Sequence, residues 1–144
     1  MVLYWPIMIP TQTFSNAHKS IKDLDFSLDG TFLASLGDSG PCRIWNLSTS
    51  APAASLSMNK GDKLGSCRFS RDDVRPLLFI TVKQGEKGII AYWDTNTWEK
   101  VGTQVIEKNP ISAFNISPDG KFLATGTSAG DIIEVRKMRP CLVS

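Results

Sequence analysis

Apolar and polar residues alternate in short runs along this chain, and turn residues separate the runs. Leu24 and Phe26 keep a period of two, which places their side chains on one face of a predicted β-strand. No part of residues 21–58 shows the sustained 3.6-residue period of a helix. The pattern therefore predicts four strands, at residues 21–27, 32–36, 42–47 and 48–57.

The segment at residues 21–45 recurs 90 residues later, at residues 111–135, without a gap. A looser copy lies between them and carries predicted strands at residues 77–82 and 98–106. The aligned residues include Ile21 with Ile111, Asp29-Gly30 with Asp119-Gly120, and Phe26-Ser27 with Phe69-Ser70. The chain is thus a set of repeats of about 45 residues, each with up to four strands.

Four-stranded units of this length are the signature of a WD-type β-propeller. We predict an all-β fold: a WD-repeat β-propeller of about three four-stranded blades, which is an incomplete propeller because closure takes about four to eight blades. An open set of three leaves two apolar faces uncovered, so we read the chain as a piece of a larger propeller. The predicted units are a last strand of a preceding blade at 1–10, blades at 17–58 and 64–106, a partial blade at 110–139 and a tail at 140–144.

WD blades are often tied together by His, Ser or Thr, Trp and a turn Asp. His18, Ser35 and Trp45 stand at three of these places, and the fourth falls on Ser39, with Asp38 one residue away. We therefore expect an incomplete version of the network. The other predicted structural blade residues, at turns and strand ends, are Asp29, Gly30, Trp93, Asp94, Asp119 and Gly120.

Composition and charge narrow the function classes. The chain has 144 residues, 42% of them hydrophobic, and a net charge of +2, which is too balanced to favour nucleic-acid binding. The apolar N-terminal stretch is short and contains Pro6 and Pro10, so we predict no membrane contact by this chain. Three widely separated cysteines without a CxxC pair favour a reduced, cytosolic-type compartment.

Candidate chemistry is sparse. His18 is the only histidine, so a Ser-His-Asp triad would have to include it, but the chain has no nucleophile-elbow motif. One histidine and scattered cysteines do not form a set of zinc ligands. We predict no catalytic residue, no cofactor, no metal site and no enzyme activity. Two basic groups are interpreted as solubilising, with an acidic partner as the alternative; they are Arg68, Arg71 and Arg75, and Lys137 and Arg139.

Several phrases resemble a narrower family than WD repeats in general. They are AHKSIKDLDFSLDG at 17–30, CRFS at 67–70, YWDTNTWEK at 92–100 and SPDGKFLATGTSAGD at 117–131. Together they resemble the plant SEC-twelve-like proteins, relatives of the guanine-nucleotide exchange factor that starts COPII coat assembly. The family includes the type that facilitates the traffic of phosphate transporters. The resemblance covers roughly residues 2–135.

The resemblance implies a seven-bladed propeller on the cytosolic face of the endoplasmic reticulum, anchored by one membrane helix. Its implied role is ER-to-Golgi transport, through nucleotide exchange on a Sar-type small GTPase or through help with the exit of membrane-protein cargo. The exchange loop belongs to the family's first blades, so we expect a partial chain without exchange activity, exchange loop or anchor. The alternative interpretation is a generic WD-repeat scaffold for protein–protein interaction.

Overall fold

The structure is a computed structural model that describes residues 8–72 and 75–136. Every regular element in these ranges is a β-strand, and each strand pairs antiparallel with its neighbours. The strands are β1 (Ile21–Phe26), β2 (Phe32–Gly37), β3 (Cys42–Asn46), β4 (Ala51–Leu56), β5 (Lys63–Phe69), β6 (Leu77–Gln84), β7 (Lys87–Asp94), β8 (Lys100–Glu107), β9 (Ile111–Ile116), β10 (Phe122–Thr127) and β11 (Ile132–Arg136). The predicted all-β fold class is confirmed.

The strands form three sheets in chain order, each a simple meander. We call β1-β2-β3-β4 the first blade, β5-β6-β7-β8 the second blade and β9-β10-β11 the third blade. Residues 8–20 form no strand and lead into β1. The leading strand predicted at residues 2–5 and the tail predicted at residues 140–144 lie outside the described residues.

One correction concerns the start of β8, which was predicted at Trp98 but begins at Lys100. Trp98 has a φ of 59°, and its backbone N–H donates to the carbonyl of Asp94 at 2.7 Å. The residue therefore closes the turn after β7 in a left-handed conformation, which cannot continue a strand. Ser50 also has a left-handed φ, of 58°, and β4 accordingly begins at Ala51 rather than at residue 48 as predicted.

The three blades share one register. Leu33 lies opposite Trp45, Leu78 opposite Trp93, and Leu123 opposite Val135. Residues opposite each other in an antiparallel pair share a face of the sheet. We call the face that carries these three leucines the upstream face, and the other side, which carries Ala34, Phe79 and Ala124, the downstream face.

The blades stack so that the downstream face of one covers the upstream face of the next. Side chains of the first and second blades form one core cluster, which includes Ala34, Leu36, Ile44, Cys67, Phe69 and Leu78. Side chains of the second and third blades form another, which includes Leu77, Phe79, Ile90, Phe114, Ile116 and Leu123. Each Leu, Ile or Phe buried in this way contributes about 1.5–3 kcal/mol, so these two junctions supply most of the core.

The upstream face of the first blade is open. Leu24 and Phe26 are 50% and 57% exposed, whereas Cys67 and Phe69 at the same register are 0% and 2% exposed. The two residues do share a face, as their period of two predicted, but that face points away from the second blade. The downstream face of the third blade is open as well, and Ile132 on it is 85% exposed.

Candidate functional site

His18, Ser35 and Trp45 meet on the upstream side of the first blade. His18 Nε2 lies 2.8 Å from Ser35 Oγ, and Trp45 Nε1 donates to the same oxygen at 2.9 Å. Phe14 covers the indole with a ring-centroid distance of 4.7 Å. The three side chains thus connect the segment before β1 to β2 and β3 through one hydroxyl group.

The fourth place of the network is filled differently. The carboxylate of Asp38 accepts a hydrogen bond from Ser20 Oγ at 2.6 Å, and Ser39 is exposed. Burial and the positive charge of Arg43 lower the pKa of His18, although a hydrogen bond with the backbone of Ser35 acts in the opposite direction. The imidazole is therefore neutral near pH 7 and can exchange one hydrogen bond with Ser35 in either tautomer.

The geometry of this trio suits a structural link better than nucleophilic catalysis. Ser35 is only 2% exposed, and its oxygen already accepts the Trp45 hydrogen bond. A nucleophilic serine needs its oxygen open to substrate and its histidine oriented by a third group. Among the described residues, no group of three or more His, Cys, Asp or Glu side chains could hold a metal ion.

In the second blade, the positions equivalent to Ser35 and Trp45 do not form this hydrogen-bonded link. Ile80 stands at the register of Ser35 in the second blade, beside Trp93, which is 3% exposed. The carboxylate of Asp94 accepts from the backbone N–H of Asn96 at 2.7 Å and so closes the β7–β8 turn. The Trp-Asp pair of this blade therefore divides its roles between core packing and turn formation.

Asp29 and Asp119 organise the turn between the first two strands of their blades. Asp29 Oδ1 accepts from Ser27 Oγ at 2.8 Å and from the backbone N–H of Thr31 at 2.9 Å; Asp119 accepts from Ser117 and Lys121 in the same way. These hydrogen bonds lower the pKa of both carboxyl groups. Gly30 and Gly120 follow with φ of 74° and 75°. This is turn chemistry rather than a carboxylate pair.

Two ion pairs cross the junction between the first and second blades, and sequence reasoning did not find them. Arg68 Nη1 lies 2.8 Å from Asp23 Oδ2, and Arg71 Nη2 lies 2.8 Å from Asp25 Oδ1. The same carboxylates accept backbone N–H groups of the second blade, Asp23 from Cys67 at 2.9 Å and Asp25 from Phe69 at 2.7 Å. Arg68 and Arg71 are therefore neither simply solubilising nor free for an acidic partner.

A signal for these pairs was present in the sequence. Asp23 and Asp25 alternate with Leu24 and Phe26, so the two acids share the downstream face. They also precede Arg68 and Arg71 by 45 and 46 residues, which is about one repeat. Charges of opposite sign one repeat apart become neighbours when the repeats stack. Of the other residues in the two predicted basic groups, Arg75 is exposed, and Lys137 and Arg139 lie outside the described residues.

The same junction contains two buried thiols. Cys42 and Cys67 are both 0% exposed, although they are far apart in the chain. The hydrogen bond with the Cys42 thiol, and then burial, raise the pKa of Cys67. The thiol therefore stays protonated and is a poor nucleophile.

A cleft of about 550 Å³ opens between the first and second blades at their β1–β2 and β5–β6 turns. Its lining mixes hydroxyl, amide and carboxyl groups with apolar rings and side chains. The lining residues are Ser27, Leu28, Asp29, Phe32, Phe69, Ser70, Asp72, Pro76, Leu77, Thr95 and Asn96.

Within the part of the chain that the structure describes, no helix has the length and apolar character needed to cross a membrane. Stacked antiparallel blades of three or four strands, the first with a His-Ser-Trp link, define a WD-repeat type of propeller architecture. The sequence profile of the family "WD domain, G-beta repeat" matches residues 8–46 and 98–133, which is more than half of the chain. The chain belongs to this family.

The chain is also similar to two plant proteins. It is 44% identical to SEC12-like protein 2 of Arabidopsis thaliana over 140 residues, and 34% identical to SEC12-like protein 1 of the same plant over 139 residues. These matches cover 96% and 95% of the chain but only 35% of each relative. The resemblance read from residues 17–30 and the later phrases is confirmed, and the chain spans about a third of the length of these relatives.

The chain is also similar to a protein that does not carry the SEC12-like name. Human Protein NEDD1 is 34% identical over 120 residues, which cover 82% of the chain and 17% of that protein. This match agrees with the alternative interpretation of a generic WD-repeat scaffold.

Proposed function

We propose that this chain is a protein-binding segment of a WD-repeat protein that assists ER-to-Golgi transport. The observation that carries the proposal is the 44% identity to SEC12-like protein 2 over 96% of the chain. Its partners are proteins: a Sar-type small GTPase, or membrane-protein cargo that leaves the endoplasmic reticulum. Its place of action is the cytosolic face of that membrane, as the family resemblance implies.

The described geometry supports a binding role rather than a chemical one. The buried hydroxyl of Ser35 and the capped carboxylates of Asp29 and Asp119 are all engaged within the blade. The cleft between the first two blades and the turns around it supply the exposed polar surface that a protein partner would contact. His18, Ser35 and Trp45 act here as the framework that holds the first blade in shape.

The test separates nucleotide exchange from assistance to cargo. Release of a fluorescent GDP analogue from a purified Sar-type GTPase is measured with and without residues 1–144, and a SEC12-type exchange factor serves as positive control. We expect no acceleration by the 144-residue chain. Acceleration that approaches the positive control would contradict our assignment of the chain to a binding role.

A second measurement tests the transport role itself. In cells that lack the protein, a secreted reporter and a plasma-membrane transporter are followed from the endoplasmic reticulum to the Golgi, and the coding sequence is then restored. We expect slower exit, with rescue on restoration. Unchanged exit of both cargoes would instead favour the generic scaffold role, which the similarity to human Protein NEDD1 supports.

A further inference from the structure

β8 is the outer strand of the second blade, and its far side pairs with no strand among the described residues. It has eight residues, whereas β4, the outer strand of the first blade, has six. Both faces of the second blade are covered by its neighbours in this chain. The open side of β8 therefore does not depend on further blades, because a further blade would stack against a face and not against this edge.

The pairing with β7 identifies the backbone groups on the open side of β8. The backbone N–H of Asp94 donates at 3.0 Å to the carbonyl of the residue that precedes β8, so the even-numbered residues of β7 face β8. Their partners in β8 are Gly102 and Gln104. In an antiparallel pair the alternate residues point the other way, so Thr103 and Val105 direct their N–H and C=O groups away from β7.

The side chains of this edge are uncharged. Val105 lies on the upstream face, which the first blade covers, yet it is 58% exposed, and Val101 is 39% exposed. No proline or charged residue stands between Lys100 and Glu107. Edge strands usually carry such residues, because they prevent pairing with another chain, and β4 does contain Pro52. β8 lacks this protection.

Two register shifts bound a regular stretch of four residues, 102–105. Within it, a Cβ on Gly102 would lie 2.9 Å from Tyr92 Oη, so the half-buried phenol ring occupies the place of a side chain beside the edge. Thr103 and Val105 stand on the opposite face of the sheet. An added strand would therefore contact an aromatic ring on one face and two β-branched side chains on the other.

We propose that residues 102–105 bind an extended segment of a partner protein, which adds a fifth strand to the second blade. The outward backbone groups of Thr103 and Val105 provide the hydrogen bonds, as in other cases of strand addition. The segment carries valine, isoleucine or threonine at every second position and no charge at its centre, because the edge offers no charged group to pair with it. This inference rests on the protein-binding role proposed above and adds the binding site and the kind of segment bound.

Hydrogen exchange, followed by NMR on the isotope-labelled 144-residue chain, tests the proposal. The probe is a blocked peptide of alternating threonine and valine, with a lysine at each end for solubility. In the free chain we expect fast exchange at Thr103 and Val105 and slow exchange at Gly102 and Gln104. The peptide should slow exchange at the first two residues by about tenfold or more. No binding, or binding that protects neither residue, would overturn the proposal.

Substitutions in the chain show whether the outward groups are responsible. Thr103→Pro removes one outward N–H and should weaken peptide binding by about tenfold. Its matched control is Ser55→Pro, at the same register of β4 and also exposed, which should leave peptide binding unchanged. Val105→Lys keeps every backbone group but places a charge at the edge, and it should weaken binding as well. Equal binding by all three variants would contradict the proposal, and far-UV circular dichroism checks that each is folded.

Another copy of the chain is the alternative occupant of this edge. Protection of Thr103 and Val105 that rises with the concentration of the chain, without peptide, would indicate pairing between two β8 strands. That result would overturn a partner segment as the occupant.

The transport assay in cells separates this proposal from the proposed function. Full rescue of cargo exit by the Val105→Lys variant would overturn β8 as the partner site and would leave the transport role in place. Selective protection of Thr103 and Val105 by the peptide, together with unchanged exit in cells that lack the protein, would support the edge site and contradict the transport role.

Discussion

Gly30 and Gly120 occupy the same turn position after an aspartate, but their surroundings differ. Both have φ near 75°, where a residue with a Cβ loses about 1–2 kcal/mol. A Cβ at Gly120 would also lie 3.1 Å from the backbone carbon of Arg71 in the second blade, whereas one at Gly30 would meet nothing within 4 Å. Gly30 is therefore required only by the conformation of its own turn, whereas Gly120 also allows the second and third blades to approach closely.

We predict that Gly120→Ala destabilises the chain by more than Gly30→Ala, which is its matched control. Gly30→Ala should lower the free energy of unfolding by about 1 kcal/mol, and Gly120→Ala by at least about 1 kcal/mol more, because its neighbour is backbone and cannot move aside. Urea denaturation of both variants measures the difference. Equal losses would show that the turn at Gly120 can shift away from the second blade.

Residues whose role is local were predictable from the sequence, and residues whose role is between blades were not. The Asp-Gly turns follow from turn chemistry within one repeat, and the meeting of His18, Ser35 and Trp45 follows from the resemblance to WD repeats. The pairing of Arg71 with Asp25 depends on how two repeats stack, which only the period of two and the repeat length together indicate.

At the scale of elements, the Asp25 carboxylate is, with that of Asp23, one of two polar links between β1 and β5. It accepts the backbone N–H of Phe69 at 2.7 Å and pairs with Arg71 at 2.8 Å. Asp25→Ala would leave a partly buried N–H and a guanidinium without this acceptor. We predict a loss of about 1–3 kcal/mol of unfolding free energy, since an unsatisfied buried donor costs that much.

The control for this prediction is Asp38→Ala, which removes an exposed carboxylate that accepts from the exposed hydroxyl of Ser20. It should change the unfolding free energy by less than about 0.5 kcal/mol. A double-mutant cycle of Asp25→Ala, Arg71→Ala and the two together isolates the ion pair from the backbone hydrogen bond. If Asp25→Ala proved as mild as Asp38→Ala, the carboxylate would not hold the junction together.

Strand positions were predicted better than strand ends. The apolar run at residues 32–36 falls on β2 and residues 77–82 fall on β6, because short apolar runs between turn residues favour buried strands. The start of β8 was missed because Trp98 is an aromatic residue that favours strands but takes a left-handed turn conformation. Its ring is used instead across the junction, edge-on to Phe32 at 5.1 Å.

At the scale of the molecule, stability is shared between neighbours rather than held in one core. The second blade is covered on both faces, whereas the first and third blades each have one open face among the described residues. In stacked repeats the stability of a unit rises with each interface that it makes. The repeat length alone indicated this arrangement, since three stacked units have two internal junctions and two ends.

We therefore predict that, in a single copy of the chain, the second blade opens less often than the third. Hydrogen exchange at Ile80 in β6 and Thr125 in β10 gives a matched comparison, because both residues occupy the same register of a central strand. We expect exchange at Ile80 to be slower by about tenfold or more, since local opening there must break two junctions instead of one. Equal exchange at both residues would mean that the three blades unfold as one cooperative unit, and the open faces would then cost the chain little stability.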